Sequence, residues 1–128
     1  MGNEHLNNLG AIILDSSITV HRELGPGLLE SAYELALAQE LQLRGIHIRT
    51  QVPVELKYKG APLGKAYVMD FLIEEVIILE IKSVEVMNPI FEAQLITYLK
   101  LADKRLGYLI NFNVPLLKYG FRRLVNHF

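Results

Sequence analysis

The apolar positions of the chain follow a helical period first and a strand period later. Leu6, Leu9, Ile13, Val20 and Leu24 recur at helical spacing, with Ile12 and Ile18 widening the stripe, and predict a helix over residues 6–24. Ser16, Ser17 and Thr19 weaken its middle, and Asn3 or a polar neighbour is its candidate cap. His21 falls beside the stripe, where a histidine is ordinarily structural. Gly25-Pro26-Gly27 breaks the helix. A second helix is expected over about residues 28–44, with Leu29, Tyr33, Ala36 and Leu37 inward and Gly45 at its C′ position. Residues 47–54 and 55–58 read as extended, with a bend or bulge at Pro53. Lys59-Gly60 marks a turn, and Pro62 and Gly64 mark a loop. Asn88-Pro89 supplies an N-cap and a proline at N1. They open a helix to about Ala102 with Phe91, Leu95, Tyr98 and Ala102 on one stripe. A strand is expected over residues 105–111, and residues 120–125 are a candidate edge strand.

Between these elements lies the stretch over residues 68–83. Two apolar runs flank Glu74-Glu75, each short and rich in β-branched residues, as in a hairpin within a covered sheet. Asp70, Glu80 and Lys82 interrupt the apolar pattern. Alternation puts Glu80 and Lys82 on one strand face. An unpaired buried charge costs several kcal/mol, so such residues persist by pairing, by opening onto a cleft or by binding something. One reading is an ion pair between Glu80 and Lys82 on a solvated face. The other is a metal site, with two carboxylates from adjacent strands holding a hard divalent cation beside a lysine. The second reading constrains the register. With a two-residue loop, Asp70 opposes Leu79 and faces away from Glu80. A shared cation therefore requires a loop such as Glu74-Glu75-Val76, or a bulge, to set Asp70 opposite Glu80.

Composition narrows the class. The 128 residues form one expected domain, spanning 1–128, with room for a real core. The chain has no cysteine, which excludes disulfides, zinc–thiolate sites and a thiol nucleophile. No apolar run is long enough to cross a bilayer, and the start, Met1-Gly2-Asn3-Glu4-His5, lacks a secretory pattern. Leu6 stands where a myristoylation motif needs Ser or Thr. These readings lead to an expected cytoplasmic protein with no membrane association. The net charge of −1 argues against coating nucleic acid by bulk electrostatics, but leaves room for an acidic site beside local basic groups. Two such groups are Lys100, Lys104 and Arg105, and Lys118, Arg122 and Arg123, each of which, taken separately, ordinarily reads as a solvated face.

Several motifs in register resemble one family across nearly the whole chain. Gly27-Leu-Leu-Glu30-Ser-Ala-Tyr33 matches the motif that names the GxxExxY proteins, and residues 21–30 around it resemble the family as well. The Asp70…Glu80-Ile81-Lys82 stretch, Gln94-Leu-Ile-Thr-Tyr98 and residues 107–113 follow in the family's order. The family is placed in the PD-(D/E)xK nuclease-like superfamily. That resemblance implies an αβββαβ core, here with an extra N-terminal helix and a mixed central sheet flanked by helices. Periodicity alone supports only a mixed α/β or α+β domain. The resemblance further implies a Mg²⁺- or Mn²⁺-dependent nuclease acting on DNA or RNA. Asp70, Glu80 and the Ile81 carbonyl would hold the cation, and Lys82 would orient water or stabilise charge on phosphate. Glu30 would hold a water or a second ion, and Gln94, Tyr98 and Tyr33 would position the site or the substrate. Met69 stands where the superfamily's name has proline. The rival readings are a non-catalytic nucleic-acid-binding module, or a protein-interaction module, with a homodimer or a targeting partner. An exposed apolar patch would mark the latter.

Overall fold

A computed structural model describes residues 2–128 except the side chain of Ala66; Met1 lies outside the described residues. Two helices lead, α1 (Asn3–Leu24) and α2 (Glu30–Leu43), followed by β1 (Ile48–Tyr58), β2 (Ala61–Ile73) and β3 (Ile77–Lys82). Helix α3 (Pro89–Leu101), β4 (Leu106–Asn111), a 3₁₀ turn over Leu117–Tyr119 and β5 (Phe121–Val125) complete the order. The five strands form one sheet in the order β1-β2-β3-β4-β5. Neighbours are antiparallel except β3 and β4, which run parallel across the α3 connection. The expected αβββαβ core is therefore present as α2 to β4, with α1 added before it and β5 after it.

The sheet separates two apolar layers. Helices α1 and α2 cover one face through Leu6, Leu9, Ile13, Tyr33, Leu37 and Leu41, packed on Phe71, Ile73, Ile77, Leu79, Ile81 and Tyr108. Helix α3 covers the other through Leu95, Tyr98 and Leu99, packed on Val52, Val54, Met69, Leu72, Ile78 and Leu109. Both faces of the β3–β4 core are thus buried, which is why those strands read as near-continuous apolar runs. Gly10 lets α1 approach the sheet: a Cβ there would lie 2.0 Å from the Tyr108 hydroxyl oxygen.

Several local expectations change. Ser16 and Ser17 do not interrupt α1, because their hydroxyls donate to the Ile12 and Ile13 carbonyls one turn back. Asn3 does not cap α1; its side chain donates to the Phe128 carbonyl and accepts from Arg105, tying the two chain ends together. Pro53 stays within β1, an edge strand where a missing N–H can face outward, and the expected irregularity follows it directly as a register shift between Val54 and Glu55. A further local distortion sits at Gln51, whose φ is +53° and which has no partner between the pairs Thr50–Phe71 and Val52–Met69. Thr50 pairs with Phe71, which packs toward α1 and α2, whereas Val52 and Met69 pack toward α3. The edge of the sheet therefore changes face at Gln51, opposite Asp70. Pro62 and Gly64 lie within β2, where register shifts and a left-handed Gly64 (φ +98°) replace the expected loop.

Candidate functional site

The register of the β2–β3 hairpin builds the site. Ile73 pairs with Ile77, Leu72 with Ile78 and Phe71 with Leu79, leaving a three-residue loop, Glu74-Glu75-Val76. Glu74 and Glu75 are both left-handed, at φ +51° and +61°, a conformation that costs a non-glycine residue energy. Their contacts offset it. Glu74 exchanges hydrogen bonds with the His47 backbone, Glu75 takes a bidentate fork from Arg49, and the Val76 N–H donates to the Ile73 carbonyl. The ladder ends at Phe71–Leu79, one residue short of Asp70 and Glu80, which are joined instead through their side chains.

Asp70 and Glu80 hold the two strands through a reciprocal pair of bonds. The Asp70 N–H donates to Glu80 Oε2 at 2.8 Å, and the Ile81 N–H donates to Asp70 Oδ2 at 2.8 Å. Each carboxylate thus accepts a main-chain donor of the opposing strand. Glu80 is only 4% exposed. Its burial, and then the Asp70 charge, push its pKa up to about 8 against the pull of the Asp70 N–H and Lys82. Asp70 is also raised, by burial first, while the Ile81 N–H and Lys82 act to lower it. Lys82 shares the strand face of Glu80, and its ammonium lies 4.4 Å from the centre of the Phe91 ring on α3.

Helix α2 contributes a residue that the motif reading passed over. Glu34 hydrogen-bonds to Asp70, and burial followed by the Asp70 and Glu30 charges raises its pKa to about 7. Gln51 donates to Glu34 at 3.3 Å and its side chain also acts to lower the Asp70 pKa. These three residues, with Ser31, Thr50 and Phe71, line a cavity of about 290 Å³. Glu30 occupies the first residue of α2, one turn before Glu34, where a carboxylate suits the helix dipole. It is half-buried and acts on the cluster through Glu34. The i,i+4 spacing of Glu30 and Glu34 was the signal for the second carboxylate.

Tyr33 belongs to the scaffold. It is fully buried, stacks on Phe112 at 4.6 Å and 7°, donates its hydroxyl to the Gly25 carbonyl and accepts from the Leu28 N–H. The motif glycine, Gly27, is left-handed at φ +97°, so Gly27 and Tyr33 together shape the loop that starts α2. Ser83 donates to the Leu28 carbonyl and ties that loop to the end of β3. Asn111, buried on β4, takes N–H donors from Val84 and Asn113 and donates to the Val84 carbonyl, fixing the chain just beyond Lys82. His21 bonds the Val114 carbonyl at 2.7 Å and serves the fold.

On the α3 side, Tyr98 feels the charges of the same carboxylates, and Gln94 lies one turn before it on the helix. Tyr98 is 3% exposed and hydrogen-bonds Gln94; burial, then Glu80 and Asp70, push its pKa up to about 12, so it remains a hydroxyl donor. Of the expected residues, the structure gathers Asp70, Glu80, Ile81, Lys82, Gln94 and Tyr98 around the β2–β3 junction. It adds Glu34 and Gln51, sets Glu30 one turn away and places Tyr33 in the core. Of the basic groups, Arg122 pairs with Glu92 and Arg123 bonds Asn7.

A family model described as the PD-(D/E)XK nuclease superfamily matches residues 7–124, a span that reaches into every helix and strand described above. The chain belongs to that superfamily, and its sheet and helices have the superfamily's restriction-endonuclease-like fold. It has no match among curated proteins or among solved structures. Nucleases of this superfamily generally use divalent metals. Among the described residues, no three His, Asp or Glu side chains are gathered at ligand spacing. A cation here would draw on the two facing carboxylates together with backbone oxygen.

Proposed function

We propose that the protein is a GxxExxY-type nuclease that hydrolyses phosphodiester bonds of DNA or RNA with Mg²⁺ or Mn²⁺. The observation that carries this reading is that the Asp70 and Glu80 carboxylates each accept an N–H of the other's strand, which brings them together beside Lys82, on the strand face of Glu80. The donor set fits a hard cation. Both groups offer carboxylate oxygen, both resist ionisation without a partner, and the main chain of Ile81 lies between Glu80 and Lys82. When bound, the cation would polarise the phosphoryl oxygen and make an attacking water more acidic.

The chain's own groups do the rest. Lys82 orients the water or takes up charge developing on phosphate. Glu34, titrating near 7 beside Asp70, accepts the water's proton at a carboxylate oxygen. Glu30 tunes Glu34 from one turn away. Gln94 holds the Tyr98 hydroxyl, which donates into the site. Gln51 positions Asp70 and Glu34 relative to each other. We place this activity in the cytoplasm, where nucleic acid and free Mg²⁺ coincide. A partner protein or a homodimer would add targeting to this site.

Cleavage of single- and double-stranded DNA and RNA, titrated with Mg²⁺ and Mn²⁺, tests the proposal. Asp70→Asn, Glu80→Gln and Lys82→Met should each lower the rate by about a hundredfold or more. Glu34→Gln should cost about 10- to 100-fold, and Glu30→Gln less. No metal-dependent cleavage by the wild type on any of the four substrates would overturn the proposal.

A further inference from the structure

Between β2 and α3, next to the carboxylates, lies an open cavity of about 280 Å³ lined by Tyr67, Ile90, Ala93, Gln94, Thr97 and Tyr98. None of the motifs includes Tyr67. It is 42% exposed, although it pairs across the strands with Val54, which is buried under α3. Its ring meets Tyr98 at 5.8 Å with a 50° tilt. The core pair Tyr33–Phe112, by contrast, is stacked at 4.6 Å and 7°. The Tyr67 ring is therefore not covered by stacking, and an apolar helix wall of Ile90 and Ala93 stands with it around the opening. Gln94 and Thr97 supply polar atoms on the same wall.

We propose that this cavity takes one unpaired nucleobase, stacked on Tyr67, so that the substrate is single-stranded where it enters the site. The inference rests on the nuclease reading and names its substrate class. A flat ligand with apolar faces and a polar edge matches an aromatic face beside an amide and a hydroxyl. A base within a duplex has both faces covered by its neighbours, whereas an unpaired base has a face to give. Charge agrees with a nucleic-acid occupant. The β1–β2 arm that carries Tyr67 extends past its last pairing with β3, and bears exposed Lys57, Lys59 and Lys65 against one exposed carboxylate, Glu55. Tyr98, the floor of the cavity, is within electrostatic range of Glu80 and Asp70, so the stacked base flanks the phosphate to be cut.

The test is binding of a fluorescent single-stranded oligonucleotide and of its duplex in Ca²⁺, which takes the same oxygen ligands. Tyr67→Ala should weaken single-strand binding about tenfold, the usual scale for loss of one stacking partner, and leave duplex binding unchanged. Tyr67→Phe should bind like the wild type. A 2-aminopurine scan of the strand should show one position whose fluorescence responds to the wild type and to Tyr67→Phe but not to Tyr67→Ala. Thermal melts confirm that both variants are folded. Equal weakening of single strand and duplex, or single-strand binding by Tyr67→Ala within twofold of wild type, overturns the inference alone if the wild type still cleaves. A wild type that neither binds nor cleaves nucleic acid overturns it together with the nuclease reading.

Discussion

At the scale of single residues, the junction of β2 and β3 stores protons. Glu80 moves from 4.5 to about 8 and Glu34 from 4.5 to about 7, each by burial first and by the Asp70 charge second. Groups raised in the folded state bind protons that the unfolded chain releases, so stability falls as pH rises. Their contribution is complete below about 4.5 and is lost as pH passes through about 7 and about 8. Glu75, held below its ordinary value by Arg49, acts in the opposite sense but only on the acid side of that window. The metal-free protein should therefore melt at a higher temperature at pH 5.5 than at pH 8. Glu80→Gln should flatten this dependence and, at pH 8, leave stability unchanged or raise it by up to about 2 kcal/mol. EDTA-treated thermal melts across pH 5–8 measure both. A wild-type profile rising toward pH 8, or a Gln variant less stable there, would favour a plain Glu80–Lys82 ion pair. The roles of single residues were unevenly legible in the sequence. Asp70, Glu80 and Lys82 stood out because charge inside apolar strands is costly. Glu34 did not, because a glutamate within a helix looks like ordinary solvated surface. Gln51 did not either: its positive φ leaves no trace in the alternation of Ile48, Thr50, Val52 and Val54.

At the scale of elements, the hairpin register was legible because one requirement decided it: two carboxylates on one face demand an odd loop. The start of β2 was not, because Pro62 and Gly64 look like breakers in a sequence, where a strand with bulges can absorb them. The loop before α2 also changes the meaning of its motif. Tyr33 bridges the Gly25 carbonyl and the Leu28 N–H from inside the core, and Ser83 anchors the same loop to β3. Tyr33 therefore holds the start of α2, and with it Glu30 and Glu34, against the strand bearing Lys82. Removing its hydroxyl leaves two main-chain groups without that partner, and an unmet buried polar group costs about 1–3 kcal/mol. Tyr33→Phe should lower stability by about 1–2 kcal/mol in urea titrations. It should also raise amide exchange at residues 25–29 while residues 77–81 stay protected. Unchanged exchange in that loop would show that Tyr33 does not pin it.

At the scale of the whole molecule, charge sets how nucleic acid can be held. The net charge is −1, so attraction cannot come from the surface at large. Several cations are already engaged: Arg44 with Asp15 and Glu40, Arg49 with Glu75, and Arg122 with Glu92. The exposed lysines Lys57, Lys59 and Lys65 lie on the same β1–β2 arm as Tyr67 of the aromatic cavity. For a single strand, each phosphate neutralised contributes about −0.7 to the slope of log K against log salt. Three lysines therefore predict a slope of about −2, far shallower than that of a protein that coats nucleic acid. Replacing all three by alanine should bring the slope near zero. The residual affinity should be largely insensitive to salt, because base stacking contributes to it without releasing counterions. Single-strand binding measured from 50 to 300 mM KCl in wild type and triple variant gives both slopes. A triple variant that keeps the wild-type slope would place the phosphate contacts elsewhere on the molecule, with Lys100 and Lys118 as the exposed lysines to test next.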